Sequence, residues 1–290
     1  MLDNYFSRRS GRSAQSSSAL LVAIASFLGL AGFLYPFIFP ALAGRSGADA
    51  QEQAHASDAP LLFAGLTACC LAATVVGLSQ RQWLRGEASK TIALLGALVS
   101  LDAALRLVPS FLGASPVFLL IILSGAVFGS SFGFQMGALT LLVSAFLTGG
   151  IGPWLPYQML GAGWVGLTAG WLPALPNRRA RLISIALFAA AWGFLFGALL
   201  NLWFWPLAAP GGAVGSDTAW FPGLGFRETI DRYTSFYVTT SLAFDAFRAL
   251  GNALLVLALG GPLLAVLERF KSRFGWEPFE TVAPSEAAAG

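Results

Sequence analysis

Four ionisable side chains in this chain fall inside long apolar runs: Asp102 and Arg106, four residues apart, and Asp245 and Arg248, three apart. A charge in such surroundings is costly unless it is neutralised, hydrogen-bonded or turned towards a polar cavity. On a helix, spacings of three and four let each acid neutralise its own base. The same groups could instead hold a polar solute, relay protons, or, as a carboxylate pair, support hydrolysis within the membrane. Around Asp245 the residues Tyr237, Ser241 and Asp245 recur every four positions, and Arg248 returns to the same side, so a continuous polar stripe is expected. Asn201 and Trp205, also four apart, make a second stripe. A third group follows the turn at Gly152-Pro153 and Leu155-Pro156: Trp154 and Gln158 share a helix face and Tyr157 sits beside them, behind prolines that hold the entry rigid.

The elements that must carry these residues are membrane helices. The chain has 290 residues, of which 56% are hydrophobic and 11% charged, with a mean hydropathy of +0.70. Apolar runs of roughly 20 residues, enough to cross about 30 Å of hydrocarbon, recur along most of the length. The alternating ten-residue strands of a barrel are missing. Eight segments are expected: Ala19 to Ala43, Pro60 to Leu78, Thr91 to Val108, Val117 to Phe128, Phe132 to Leu147, Leu155 to Leu172, Leu182 to Trp205 and Phe236 to Leu267. This is an all-α integral membrane protein.

Positive charge orients the path, because cytoplasmic loops hold the excess of Arg and Lys. Arg8, Arg9, Arg12, Arg81, Arg85, Lys90, Arg178, Arg179, Arg181, Arg269, Lys271 and Arg273 all fall on one side if both termini are cytoplasmic, twelve of the seventeen basic residues. The opposite loops carry Arg45, Arg227 and Arg232. This bias accounts for the net charge of +3, and no basic-aromatic patch points to nucleic acid. Cys69 and Cys70 are adjacent on one segment, face different ways and read as small packing residues. The single His55 lies in the polar loop Gly44 to Asp58 with no second ligand beside it, so no metal site or cofactor is expected. Three arginines before an apolar run ending Ala41-Leu42-Ala43 resemble a signal peptide, but about 24 residues exceed the usual 7–15 residue core, and a retained helix is expected.

The stretch from Gly149 to Pro173, GGIGPWLPYQMLGAGWVGLTAGWLP, resembles the G-x-GPW-x-P-(F/Y)-QM signature of the substrate-capture subunits, or S components, of energy-coupling factor (ECF) vitamin transporters. The last segment, with its T-S-L, D, R and G-N pattern from Thr240 to Asn252, is similar to that family's final helix. The resemblance implies a six-helix substrate-binding core, residues 91–270; the two-helix segment in 1–90 is a departure from that family's pattern, and a cytoplasmic tail, 271–290, follows the core. It implies a substrate site built from Arg106, Trp154, Tyr157, Gln158, Asn201, Trp205, Tyr237, Ser241 and Asp245, and a vitamin or vitamin precursor as ligand, cobalamin or another corrinoid first. It also implies partners: a membrane-spanning coupling subunit and two ATPases, with Ala93 and Ala97 on the docking face. From spacing alone, Ala93, Ala97, Ser100 and Ala104 make a small-residue stripe, which serves bundle packing as well as docking. Asp102 and Arg106 lie roughly 140–180° around the helix from Ala97.

The chain has no phosphate loop, no His-Glu-x-x-His and no nucleophile elbow, so it is read as a transporter subunit and not an enzyme. The competing reading is an autonomous secondary carrier that couples protons through Asp102 or Asp245. The long Gly- and Pro-rich loop Pro206 to Ser235, with Trp220, Phe221, Phe226 and Tyr233, is expected to form a lid over a site open to the outside. The charge distribution makes a direct prediction: single cysteines placed in the 79–90 and 175–181 loops are expected to react with membrane-impermeant reagents only from the cytoplasmic side. Labelling of either loop from outside overturns the eight-span path.

Overall fold

The computed structural model describes residues 20, 22–35, 37, 64–65, 67–68, 71–72, 88–108, 115–207, 217–221 and 223–273. The helices with stated bounds are α1 (Val22–Tyr35), α2 (Ala88–Leu105), α3 (Val117–Phe128), α4 (Ser130–Thr148), α5 (Leu155–Ala169), α6 (Arg178–Phe204), α7 (Phe226–Thr240) and α8 (Leu242–Arg273). No strand occurs among the described residues, and the protein is all-helical as expected. Of the second segment, Pro60 to Leu78, the described residues 64–65, 67–68 and 71–72 are helical. His55, Cys69, Cys70 and the 274–290 tail lie outside the described residues.

Helices α4, α6 and α8 are long and apolar enough to cross a membrane by themselves, and α1 and α3 are shorter apolar helices. The 12-residue α3 is buried at every position but Ala126. At 1.5 Å per residue it covers only about 18 Å, and α4, α5, α6 and α8 enclose it. The outward faces of α6 and α8 expose Leu187, Leu195, Leu250 and Leu254, an apolar surface suited to lipid.

Close approach of backbones organises the centre. A Cβ on Gly125 of α3 or on Gly133 of α4 would run into the Gly166 carbonyl of α5, one on Gly166 into the Gly133 carbonyl, and one on Gly137 into the Ala162 carbonyl. Hydrocarbon supplies no hydrophobic drive between helices, so this close packing is what holds α3, α4 and α5 together. Gly129, at φ 94°, lets the chain leave α3 and enter α4 within a single residue, and Gly149, at φ 66°, ends α4 in the left-handed conformation. At the start of α6 the Asn177 side chain accepts from the Arg179 and Ala180 amides at 2.9 and 3.2 Å.

The two ends of the bundle are separately tied. At one end Lys271 donates to the Val127 carbonyl (2.7 Å), Arg178 donates to the Gly261 carbonyl beside Pro262 (3.0 Å), and Arg181 pairs with Glu268. At the other, the 3₁₀ turn Trp205–Leu207 and α7 fold into a small aromatic cluster of Trp205, Trp220 and Phe236.

One expectation is corrected. The final segment, expected as one helix from Phe236 to Leu267, is two helices that meet at Ser241, whose φ and ψ are −123° and −29°. The first of them reaches back to Phe226, into the stretch expected to be loop. The cause lies in consecutive hydroxyl residues: Thr239 and Thr240 each turn their Oγ1 onto the carbonyl four residues back (2.7 Å each), and Thr240 meets Ser241. The backbone ladder nevertheless continues, from the Ser241 amide to Tyr237 and from the Asp245 amide to Ser241, both at 2.9 Å, so the chain bends without losing register.

The glycine junction predicts a sharp asymmetry. Gly133→Val or Gly166→Val is expected to destabilise by at least about 1–3 kcal/mol through overpacking. Gly96→Ala, whose added Cβ meets nothing within 4 Å, is expected to stabilise by about 0.5–1 kcal/mol. Thermal unfolding in detergent distinguishes them.

Candidate substrate site

Arg106 at the end of α2 reaches across to two other helices, donating to Ser144 Oγ of α4 at 3.0 Å and to Gln158 Oε1 of α5 at 3.2 Å. Ser144 is fully buried and donates its own proton to the Leu141 carbonyl (3.0 Å), so its lone pairs are turned to the guanidinium. Gln158 is brought there by the start of α5, where Pro156 occupies the first turn, in which a missing N–H costs nothing. Tyr157, also on α5, is 3% exposed and packs between Phe33 of α1 (4.9 Å, edge-on) and Trp203 of α6 (5.4 Å).

Trp154 stands apart from this group. It is 41% exposed, donates to the carbonyl of Gly150 in its own turn at 3.1 Å, and lays its ring over Gly152. It therefore pins the turn that delivers Tyr157 and Gln158.

The second polar group lies between α6, α7 and α8. Asp245, 2% exposed, pairs with Arg248, which also donates to the Gly193 carbonyl (3.2 Å) and lies over the Phe196 ring at 5.8 Å. Gly197 of α6 leaves room for the Asp245 carboxylate, and Gly193 leaves room for the backbone of Ala249. Tyr237, on the far side of the bend, still interacts with Asp245. Ser241 is at the bend and meets Thr240. One oxygen of Asp245 and the amide nitrogen of Asn201 are buried without a hydrogen-bond partner among the described residues. Trp205, 2% exposed, donates to the Thr218 carbonyl at 2.8 Å and stands edge-on to Tyr233 at 5.2 Å. Tyr233 donates to the Ala198 carbonyl, and burial holds its hydroxyl well above the ordinary phenol range, so it stays protonated.

The expected site residues thus form two polar centres, Arg106 with Gln158 and Tyr237 with Asp245, and an aromatic cap that includes Trp205. No hydrogen bond joins the two centres among the described residues. Phe196 lies between them, touching Phe118 at 4.8 Å and facing Gly161 of α5. Of the two acid–base pairs, Asp245 neutralises Arg248, whereas Asp102 does not pair with Arg106. Asp102 is fully buried, both its oxygens lack a hydrogen-bond partner among the described residues, and it faces Thr140, which is also fully buried. Ala93, Gly96, Ala97, Ser100 and Ala104 all lie on the exposed side of α2, opposite Asp102.

A family model, ECF transporter, substrate-specific component, matches residues 90–260, more than half of the chain. The chain belongs to that family. No curated protein and no solved structure matches it. As an ECF substrate-specific component it is a membrane transporter subunit and not a member of an enzyme family, and such components work with a transmembrane coupling subunit and ATPases. Among the described residues no group of three His, Cys, Asp or Glu could hold a metal ion.

Several residues of this S component escaped the sequence reading. Ser144 and Thr140, four apart on α4, carried the signal: two hydroxyls on one face of an apolar helix. Gly193 and Gly197 had the same small-residue spacing as the alanines of α2. Phe33 had no signal, because nothing in its own segment announces that it meets Tyr157. Helix α1 lies outside the family match, yet Phe33 and Ala25 are buried, and Ser26 accepts from Trp164 at 2.8 Å.

Breaking the second centre should be costly. Asp245→Asn leaves Arg248 without its acid and is expected to destabilise by about 3–5 kcal/mol. The double variant Asp245→Asn/Arg248→Gln is expected to recover part of that loss, and a double-mutant cycle of melting temperatures checks it.

Proposed function

We propose that this S component captures a vitamin or vitamin precursor at the non-cytoplasmic face, cobalamin or a related corrinoid first, and delivers it through the coupling subunit and two ATPases. Both termini are cytoplasmic in this reading. The observation that carries it is the convergence of Arg106, Ser144 and Gln158 from three helices at the end of the bundle where the Gly149 to Trp154 turn and the Trp205 cap also lie. Convergent polar groups beside aromatic walls suit a medium-sized organic ligand. Trp203, packed on Tyr157, and the cluster of Trp205, Trp220 and Tyr233 put aromatic surface at that end of the bundle, which suits a large organic molecule.

Coupling is assigned to Ala93 and Ala97. Their exposure, and the open space beside Gly96, support a face on which another helix can approach closely. One observation favours the second reading, an autonomous proton-coupled carrier: the buried Asp102 carboxyl, which has no hydrogen-bond partner among the described residues. Reconstitution separates the two. A carrier transports alone, whereas a capture subunit binds tightly and moves nothing without its partners.

Mass spectrometry of small molecules released from the purified protein identifies the ligand; a corrinoid is expected. Trp154→Ala and Gln158→Ala are each expected to weaken its binding at least about tenfold, about 1.4 kcal/mol, in calorimetry. Ala93→Leu/Ala97→Leu is expected to abolish transport by the full complex while leaving binding intact. Equal loss of binding in the alanine variant removes the docking assignment.

A further inference from the structure

Three acid–base pairs are made among the described residues: Arg248 with Asp245, Arg181 with Glu268, Arg232 with Glu228. Arg106 is in none of them, and unlike Arg178 and Lys271, which donate to backbone carbonyls at the other end of the bundle, it meets only side chains. Its two hydrogen bonds go to neutral acceptors, Ser144 and Gln158, and among the described residues no carboxylate lies within ion-pair distance. Asp102 is one turn earlier on the same helix, an acid four residues before a base, which is the favourable order for a pair, and helix side chains lean towards the N-terminus and so towards it. The pair is nonetheless not made. The Asp102 carboxyl turns to Thr140, and Arg106 is drawn off to α4 and α5.

Ser144 and Gln158 therefore aim the guanidinium without neutralising it. A guanidinium has five donors in a planar fork, and two are used here, which leaves three without a partner among the described residues. A partly buried, uncompensated cation beside a bilayer is expensive. Its geometry matches the two oxygens of a carboxylate or phosphate, on which it can form parallel charge-assisted bonds. A neutral solute leaves that charge standing, and a cationic one adds repulsion.

We infer that Arg106 is the counter-ion for an oxyanion, a carboxylate or a phosphate, carried by the molecule that this site captures; the inference rests on the capture reading above. The phosphodiester of a cobalamin meets the requirement, as does any vitamin or precursor with a free acid.

The test compares the wild-type chain with Arg106→Gln and Arg106→Lys, each purified into nanodiscs of phosphatidylcholine alone. Circular dichroism and melting temperature establish that all three are folded, and mass spectrometry in both ion modes identifies the bound solute. The expected result is an anionic or phosphodiester-bearing solute on the wild type, retention lowered at least tenfold in Arg106→Gln, and an intermediate level in Arg106→Lys, which keeps the charge but loses the fork. Lipids carried from the expression host are read in the same spectra. An anionic phospholipid lost with the glutamine variant assigns the oxyanion to a headgroup, and a water-soluble acid lost with it assigns the oxyanion to the transported solute. A bound solute with no acidic group, or equal retention in the glutamine variant, overturns the role of Arg106. A wild-type chain that binds no solute and transports alone when reconstituted sinks the capture reading itself, a distinguishable result.

Discussion

The constraint on which the rest of the structure depends is the meeting of three backbones at Gly125, Gly133 and Gly166. In lipid, apolar side chains gain little by leaving one apolar medium for another, so helices associate through close packing and the hydrogen bonds that close packing permits. Without side chains at the crossing, α4 and α5 lie near enough for Ser144 and Gln158, at their ends, to serve one guanidinium from α2. The same contact encloses α3, a helix too short to stand in a bilayer by itself. The polar site is thus a consequence of a packing decision made elsewhere in the bundle.

A second small-residue contact, Gly193 and Gly197 of α6 against α8, sets the other polar centre. There the space left by a missing side chain is filled by the Asp245 carboxylate, and the nearby Gly193 carbonyl accepts from Arg248. Two acid–base pairs with similar spacing in the chain therefore meet different fates. Asp245 and Arg248 are held together by one neighbouring helix; Arg106 is drawn off by neutral partners on α4 and α5, while the Asp102 carboxyl faces Thr140 of α4. The difference lies in what faces the helix, and it turns one pair into a neutralised contact and leaves Arg106 of the other aimed at Ser144 and Gln158.

Helix α1 adds an element beyond the matched region. Phe33 against Tyr157 and Ser26 under Trp164 connect it to α5, and Phe37, two residues beyond its end, lies beside Trp205 and Trp220 of the aromatic cap. The polar mouth of α5 is consequently supported from behind by a ring that lies outside the matched residues 90–260.

Much of the architecture was legible in the residues themselves. Length of apolar runs and the Pro-rich turn before Leu155 depend on local chemistry: the thickness of hydrocarbon and the φ restriction of proline. These determine helices, their approximate limits and the rigidity of the entry, and the spacing of Asp102 and Ala97 around one helix placed them on opposite faces correctly. What only the tertiary structure decided is which groups meet. The bend at Ser241, the separation of Asp102 from Arg106, the partnership of Ser144 with Arg106 and the seat of Phe33 all depend on neighbours distant in the chain. Periodicity specifies the face a side chain occupies, but the element opposite that face is chosen by how closely the backbones can approach, and that is a property of the assembled bundle.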